Sequence, residues 1–568
     1  MRLNRIEIEN FKGIGKRQTI ELRPITLLFG ANSAGKSTVL QALHYAREIL
    51  ERRNPDPDHT LAGGLIDLGG FKALVHNHEL DRAITIKVIL DLSEEQSSDR
   101  LPLNSGGSLK DVEFINLNVR YIVGENTDLK EYAIVQEVGV EIEVRWSDLL
   151  DGPYVSCLGV EMDGAPVVAV KSPPQEGRAV LTSFNFGHSL FQEITQKSDN
   201  EDVLGVEESP VTEYLPRSPL ASEIWELSRD MAAVAVGTEG HDFRVTVATV
   251  RGALPVLDRS LSSELRDPEV KKFELENATP RVRGLARLLD ELALGPVRIA
   301  RDYLNTMTYI GPLREIPARS FRPRQSPDES RWAQGLAAWD LLYSDTNGEL
   351  FDSVNEWLSD ERKLRTGYRL EKVSFREIPV PSRMSTMFER GLTEDDVGDL
   401  QELYESLQRR TEVGLRDFEK GILVAPGDVG VGISQIIPVV VGCLKKNIGL
   451  LAVEQPELHI HPGVQVGLGD LFIKAIGLTE SGLPTGKSLL IETHSEHIIL
   501  RLLRRIREKS EDDLPPGAPA LMSEALSVIY VEGDDAGVHF RQLGINQAGE
   551  FSDQWPNGFF EERAKELF

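Results

Sequence analysis

The chain has 568 residues, 40% of them hydrophobic, which is enough for two or three packed regions and too many for a disordered protein. A formal net charge of -27 argues against a surface dominated by nucleic-acid binding, although a local basic groove is compatible with it. Two cysteines far apart, Cys157 and Cys443, exclude a disulfide framework and argue against a cysteine zinc site, and no apolar run reaches the roughly 20 residues of a membrane span. The expectation is a cytoplasmic protein without a membrane segment.

The opening RLNRIEIENF alternates apolar and polar residues, as a half-buried strand does. QTIEL predicts a second strand. ITLLFG predicts a third, apolar throughout and therefore central in a sheet. STVLQALHYAREILERR then has helical spacing, so the start reads strand, glycine loop, helix. The loop residues Gly30, Ala31, Asn32, Ser33, Ala34, Gly35, Lys36 and Ser37 match G-x-x-x-x-G-K-[ST], with Thr38 following. Glycines let backbone N–H groups turn inward around a β-phosphate, Lys36 reaches the β- and γ-phosphates, and the Ser37 hydroxyl ligates Mg2+. The helix that starts there points its positive end at the anion. This pattern predicts an ATP and Mg2+ site of the P-loop type.

AITIKVILDLS and residues 112–170 carry Val, Ile and Tyr in period-two stretches and predict antiparallel strands. Residues 171–215 read as polar loop, 219–310 as mostly helical, 329–358 as a helical pair, and 392–420 as a charged amphipathic helix. From about residue 421 the pattern returns to α/β. IGLLAVEQ, KSLLIETHS and LSVIYVEG predict strands, and HSEHIILRLLRRIREK a helix. No internal repeat and no sustained heptads are present.

LAVEQPELHIHP, residues 451–462, reads as a Walker B strand about 420 residues beyond the P-loop, so one nucleotide-binding sheet is expected from both chain ends, with an insertion between. Glu454 supplies a carboxylate towards the Mg2+ shell. Gln455 occupies the next position, which normally orients the attacking water. A glutamine orients water without accepting its proton, and a general base contributes about 10²–10⁴-fold, so the expectation is slow hydrolysis. Glu457 is an alternative carboxylate, disfavoured by distance.

NFKGIG, GANSAGKST, GVGISQ, VEQPELHIHP and ETHSEH, in this order, resemble the RecF/SMC branch of ABC-type AAA ATPases. The likeness extends to the ATPase half of the overlapping-lysogenization-defect (OLD) nucleases, and in particular to bacterial ATPases of that branch without the TOPRIM nuclease. Those share a G-P-L-R segment, here Gly311 to Arg314, and a W-P-x-G-F-F segment, here Trp555 to Phe560. The resemblance covers about residues 1–80 and 420–568 well and the middle loosely. It implies an α/β fold: an ABC-type P-loop head with an N-terminal ATPase lobe (1–80), an antiparallel β subdomain (81–170), a helical or mixed insertion (171–420) and a C-terminal ATPase lobe (421–568). It implies a head-to-tail homodimer, or a higher even-numbered homo-oligomer, around ATP. In that arrangement Gly432, Ser434 and Gln435 of the signature segment face a partner's γ-phosphate, and His494 senses the γ-phosphate of its own site. It also implies a separate effector, a nuclease or toxin, and a switch in DNA transactions or anti-phage defence. Residues 66–79 occupy the Q-loop's place without an assignable metal contact.

Other features invite different readings. His459 and His461, and His76 and His78, form H-x-H pairs, but the first pair falls where a D-loop crosses a dimer interface. Val531-Glu532-Gly533-Asp534-Asp535 resembles the opening of a TOPRIM domain, yet only 33 residues follow it. Arginines cluster at 298–324 and 501–509, either as solvated faces or as contacts to nucleotide or DNA, with Arg314 the candidate for a γ-phosphate or interface role. An ATP-binding scaffold with negligible hydrolysis is the competing function. A transporter subunit is disfavoured by the large insertion.

Overall fold

A computed structural model describes residues 1–60, 66–92, 135–172, 179–185, 245–247, 249–257, 280–319, 321–324, 328–477, 486–534 and 537–556. The strands in chain order are β1 (Arg2–Glu9), β2 (Gln18–Glu21), β3 (Ile25–Gly30), β4 (Ile84–Asp91), β5 (Glu137–Ser147), β6 (Gly152–Met162), β7 (Ala165–Lys171), β8 (Ala179–Phe184), β9 (Val245–Val247), β10 (Thr249–Arg251), β11 (Leu254–Pro255), β12 (Thr308–Ile310), β13 (Tyr368–Arg376), β14 (Arg409–Asp417), β15 (Leu423–Val424), β16 (Leu450–Glu454), β17 (Ser488–Glu492), β18 (Leu526–Asp534) and β19 (Gly537–Leu543).

The nucleotide-binding sheet has the order β12-β16-β17-β3-β18-β19, parallel except for β19, which turns back antiparallel on β18. Strand β3 comes from the N-terminal end, and its direct neighbours β17 and β18 from the C-terminal end. The sheet is therefore built from both chain ends, as expected. Parallel strands are buried on both faces, which is why these segments are apolar without alternation. In β3, Leu28 packs into one core while Ile25, Leu27 and Phe29 pack into the other. The first core lies under the helix Ser37–Arg52 and the helix Pro280–Asn305; the second is filled by the helices Val431–Leu444, Pro462–Ile476 and Glu496–Ser510. Each fully buried Leu or Ile contributes about 1.5–3 kcal/mol, so this two-sided core holds the strand ends, and the site on them, rigidly. Trp555 closes the second core edge-on to Phe29, Tyr530 and Phe551, which gives the start of the W-P-x-G-F-F segment a packing role; residues 557–560 lie outside the described residues.

The second large sheet is antiparallel, β2-β1-β4-β5-β6-β7-β8-β9. It takes in β1 and β2 on one side and β8 and β9 on the other, so it crosses the boundaries expected near residues 80 and 170. Strand β12, from the expected insertion, joins the nucleotide-binding sheet instead. Three expectations need correction here. The helix expected over 392–420 stops at Ser406: RRTEVGLRD alternates and pairs with all nine residues of β13 as β14. Within 219–310, helix is present over Pro280–Asn305, whereas 245–255 forms the short strands β9, β10 and β11. Strand β8 lies inside the segment read as loop, whose other parts, apart from Lys171, Ser172 and Asn185, fall outside the described residues. The helical pair at 329–358 is present as a turn of 3-10 helix (Glu329–Trp332) followed by the helices Leu336–Ser344 and Glu349–Ser359.

Candidate nucleotide site

The site lies where the strands β3, β17 and β16 end side by side. Ligands in open α/β sheets bind at the carboxyl ends of the strands, where the chain direction of the connections switches. Gly30 ends β3 at φ 150, and a Cβ there would come within 2.2 Å of the Val531 carbonyl oxygen on β18. Only glycine fits that approach. Gly35 has φ 96 and lies against Val538 of β19, where a Cβ would meet Cγ2 at 2.8 Å. Ala31, Asn32 and Ser33 form the exposed crest of the loop, with Ser33 in the left-handed region at φ 62. Ala34 N–H bonds the Ala31 carbonyl and Thr38 N–H the Gly35 carbonyl, which closes the loop onto the helix Ser37–Arg52.

Lys36 is 3% exposed, and its ammonium donates to the carbonyls of Gly30 (3.1 Å) and Ala31 (2.8 Å). Burial pulls its pKa down, opposed by the carboxylates of Glu492, Glu454 and Glu457. The Ser37 hydroxyl donates to Glu492 Oε2 at 2.7 Å, and Glu492 Oε1 stands 3.9 Å from the Lys36 nitrogen. Glu492 is opposite Glu454 in the β16–β17 register, so two carboxylates end adjacent parallel strands. Burial, then the charge of Glu492, raises the Glu454 pKa to about 7.

Gln455 follows in the left-handed region, φ 43, with its N–H bonded to the Glu492 carbonyl at 2.7 Å. Arg314 is buried beneath this turn. It donates to the carbonyls of Glu454 (2.6 Å) and Gln455 (3.1 Å), and its Nε and Nη1 have no partner within the chain among the described residues. Its position is thus behind the Walker B turn, where it supports the two carbonyls and keeps two nitrogens unused among the described residues. Glu457 accepts from the Thr493 hydroxyl and from the His494 N–H, each at 2.7 Å, so both its oxygens are engaged. His494 Nε2 is buried without a partner among the described residues, and the neighbouring Lys36 adds to burial in lowering its pKa. A neutral imidazole with a free nitrogen beside Lys36 fits a phosphate oxygen.

The signature segment begins the helix Val431–Leu444 at an uncapped N-terminus. Gly432 packs onto the D-loop: a Cβ there would meet the His459 carbonyl oxygen at 2.2 Å. Ser434 and Gln435 do not face outward as expected. Ser434 is 1% exposed and donates to the Pro426 carbonyl at 2.6 Å; Gln435 is buried, with Nε2 3.5 Å from the Arg314 carbonyl. Both lie on the inner face of a helix whose later residues are almost all apolar, and in its first turn only Val431 is exposed. His461 caps the helix Pro462–Ile476 by accepting from Gly463 N–H, while His459 is exposed; His76 and His78 bond the carbonyls of Lys12 and Lys72. In the basic clusters, Arg319 pairs with Asp428, Arg324 with Asp328, Arg501 and Arg505 with Asp470, and Arg504 with Glu508. Asp534 lies at the β18–β19 turn near His539, and Asp535 is outside the described residues.

The residues therefore fit a Mg-nucleotide: a glycine cradle, a lysine at its centre, a serine hydroxyl beside two carboxylates, and a histidine nitrogen left free. Sequence reasoning named all of these except Glu492. Its signal was the charged residue that ends an apolar strand two residues before His494.

Residues 1–98 match a family described as an AAA ATPase domain, and residues 248–500 match one described as an AAA domain, putative AbiEii toxin, Type IV TA system. The first match holds the P-loop; the second holds the signature segment, Walker B and His494. The two matches fall on the two chain ends that meet in the nucleotide-binding sheet. A search of curated proteins finds no match. Among solved structures, an SMC head bound to the C-winged helix domain of ScpA is similar at 10% identity, 96% of this chain, 100% of that chain and a TM-score of 0.36. The SMC head domain from Thermotoga maritima gives 8% identity, 96%, 100% and 0.33. An Smc head domain with an extended coiled coil, bound to the C-terminal domain of ScpA derived from Pyrococcus furiosus, gives 11%, 100%, 98% and 0.33. These likenesses are weak, and the fold stands on its own sheet order. Among the described residues no helix is long and apolar enough to cross a membrane.

Proposed function

We propose that this chain is an ABC-type ATPase that binds Mg-ATP, pairs head-to-tail around it, hydrolyses it slowly, and acts as a nucleotide-gated switch for a separate effector. The observation that carries the reading is the contact of Ser37 with a strand-end carboxylate, beside Lys36 in its glycine loop. When bound, the metal neutralises charge on the β- and γ-phosphates and holds them for attack. The chain's own residues do the rest. Gly30 to Gly35 cradle phosphate with backbone N–H groups, Lys36 leaves the loop carbonyls for phosphate oxygens, Ser37 and Glu454 hold the metal shell, Gln455 orients water, and His494 contacts the γ-phosphate. Across the dimer, the N-terminus of the helix Val431–Leu444 meets the partner's γ-phosphate through backbone N–H groups, since Ser434 is turned inward.

The exposed Val431 and His459, side by side through Gly432, supply the surface on which a second copy docks. A defence role with a nuclease or toxin effector draws support from the description of the second matched family and from the OLD-like motifs. Direct DNA binding has less support, because the arginines of both basic clusters are largely paired with this chain's own carboxylates. Gln455 also favours a second reading, a scaffold that binds ATP without turnover. Single-turnover hydrolysis by wild type, Lys36→Ala and Gln455→Glu separates the two. Lys36-dependent turnover that rises in Gln455→Glu supports the switch; ATP bound but never hydrolysed by wild type leaves the scaffold.

A further inference from the structure

We propose that Glu492, not Glu454 alone, is the carboxylate that receives the divalent cation at Ser37. This rests on the Mg-nucleotide reading above and adds a metal-shell residue to it. Strand β17 is the immediate neighbour of the P-loop strand β3, whereas the Walker B strand β16 lies one strand further away. Neighbouring strands are spaced about 4.8 Å apart, so the end of β17 is the nearer platform for the loop. Glu492 uses that position. Its Oε2 accepts the Ser37 hydroxyl at 2.7 Å, its Oε1 stands 3.9 Å from the Lys36 nitrogen, and the side chain is 8% exposed.

A serine hydroxyl that ligates a cation does so through a lone pair and must place its proton elsewhere. Glu492 already takes that proton, which turns a Ser37 lone pair towards the phosphate side. Mg2+ keeps several waters and is usually held by one or two carboxylates plus phosphate oxygens. Glu492 and Glu454, paired in register, supply two. The carboxylate charge on this side of the cation comes from the next strand, and Gln455 is tied by its N–H to the same residue, Glu492, at 2.7 Å.

The test is a Mn2+ titration followed by electron paramagnetic resonance, in the presence of ATP, on wild type, Glu492→Gln, Glu454→Gln and Ser37→Ala. ATP binding is measured in parallel with EDTA present. Glu492→Gln is expected to weaken Mn2+ by about tenfold or more while metal-free ATP affinity stays within twofold of wild type. Adding Ser37→Ala to Glu492→Gln is expected to cost little more, because both act on one ion. Glu492→Asp keeps the charge but withdraws it, and is expected to fall between. Should Glu492→Gln fail to fold, Glu492→Asp with wild-type Mn2+ affinity overturns the proposal. Wild-type Mn2+ affinity in a folded Glu492→Gln, with the loss confined to Glu454→Gln, overturns it and leaves the nucleotide reading intact. Failure of wild type to bind ATP even with EDTA overturns both.

Discussion

Glu457 accepts the backbone N–H of His494 at 2.7 Å, so the residue three places beyond Walker B holds the loop that carries the histidine. The Thr493 hydroxyl bonds its other oxygen at the same distance. Glu457 and the segment that carries His494 are thereby one unit. Glu457→Ala removes two buried bonds to a carboxylate and is expected to cost about 1–3 kcal/mol each at most, with Glu457→Gln milder because one acceptor oxygen remains. Urea unfolding checks the order. Hydrogen exchange of residues 493–498 is expected to rise in Glu457→Ala, and ATP-dependent pairing to weaken. Unchanged exchange there would show the clamp to be idle.

Much of this site was readable in the chain because its parts are contiguous. A glycine loop, Lys36 and Ser37 stand in one octapeptide between an apolar strand and a helix, and the strand before Gln455 is apolar throughout. What was not readable depends on neighbours in space. Glu492 acquires its role only when β17 lies between β16 and β3, a pairing of segments more than 450 residues apart. Ser434 and Gln435 were assigned outward from the motif alone, whereas the orientation of the first helical turn buries them. Arg314 was grouped with other arginines by composition; its burial follows from its bonds to the Walker B carbonyls. Strand β14 was hidden in a charged run, since alternation and helical spacing give similar patterns over a few polar residues.

Two glycines are expected to separate binding from pairing. At Gly30 a Cβ would meet the Val531 carbonyl at 2.2 Å, and at Gly432 the His459 carbonyl at 2.2 Å. Gly30→Ala distorts the phosphate cradle, so ATP affinity is expected to drop at least about tenfold. Gly432→Ala pushes the signature segment off the D-loop, far from Lys36 in sequence and contact, so ATP still binds while the ATP-dependent dimer is lost. Fluorescent-nucleotide titration and light scattering read the two effects. Loss of nucleotide binding in Gly432→Ala would contradict this division.

The pH dependence follows from Glu454, whose pKa is raised to about 7 by burial and by the charge of Glu492, against an ordinary value of 4.5. A carboxyl with a raised folded-state pKa contributes stability that is fully present below 4.5 and is lost as pH rises through about 7. Nucleotide-free protein is therefore expected to lose part of its stability between those values, and Glu454→Gln to flatten that slope. Cation binding requires the ionised form, so Mg-ATP is expected to release close to one proton at pH 6 and almost none at pH 8. Calorimetry in buffers of different ionisation enthalpy measures the proton count. Equal release at both values would place the titrating group elsewhere.

A line of contacts runs from the signature helix to Walker B within one chain. Gln435 Nε2 approaches the Arg314 carbonyl at 3.5 Å, and the Arg314 guanidinium donates to the carbonyls of Glu454 and Gln455. Burial lowers the Arg314 pKa to about 10, so the guanidinium stays charged at neutral pH, and its bonds fix the left-handed turn at Gln455, φ 43. Such a backbone geometry costs a non-glycine residue roughly 1–3 kcal/mol and persists only where its surroundings enforce it. Arg314→Met keeps the bulk and removes the donors. It is expected to destabilise the fold by about 1–3 kcal/mol and to slow single-turnover hydrolysis, while ATP affinity in EDTA is retained. Gln455→Gly in the Arg314→Met background relieves the strained position and is expected to recover part of the stability but none of the rate. Recovery of both would mean that Arg314 supports the fold alone and does nothing for the placement of water.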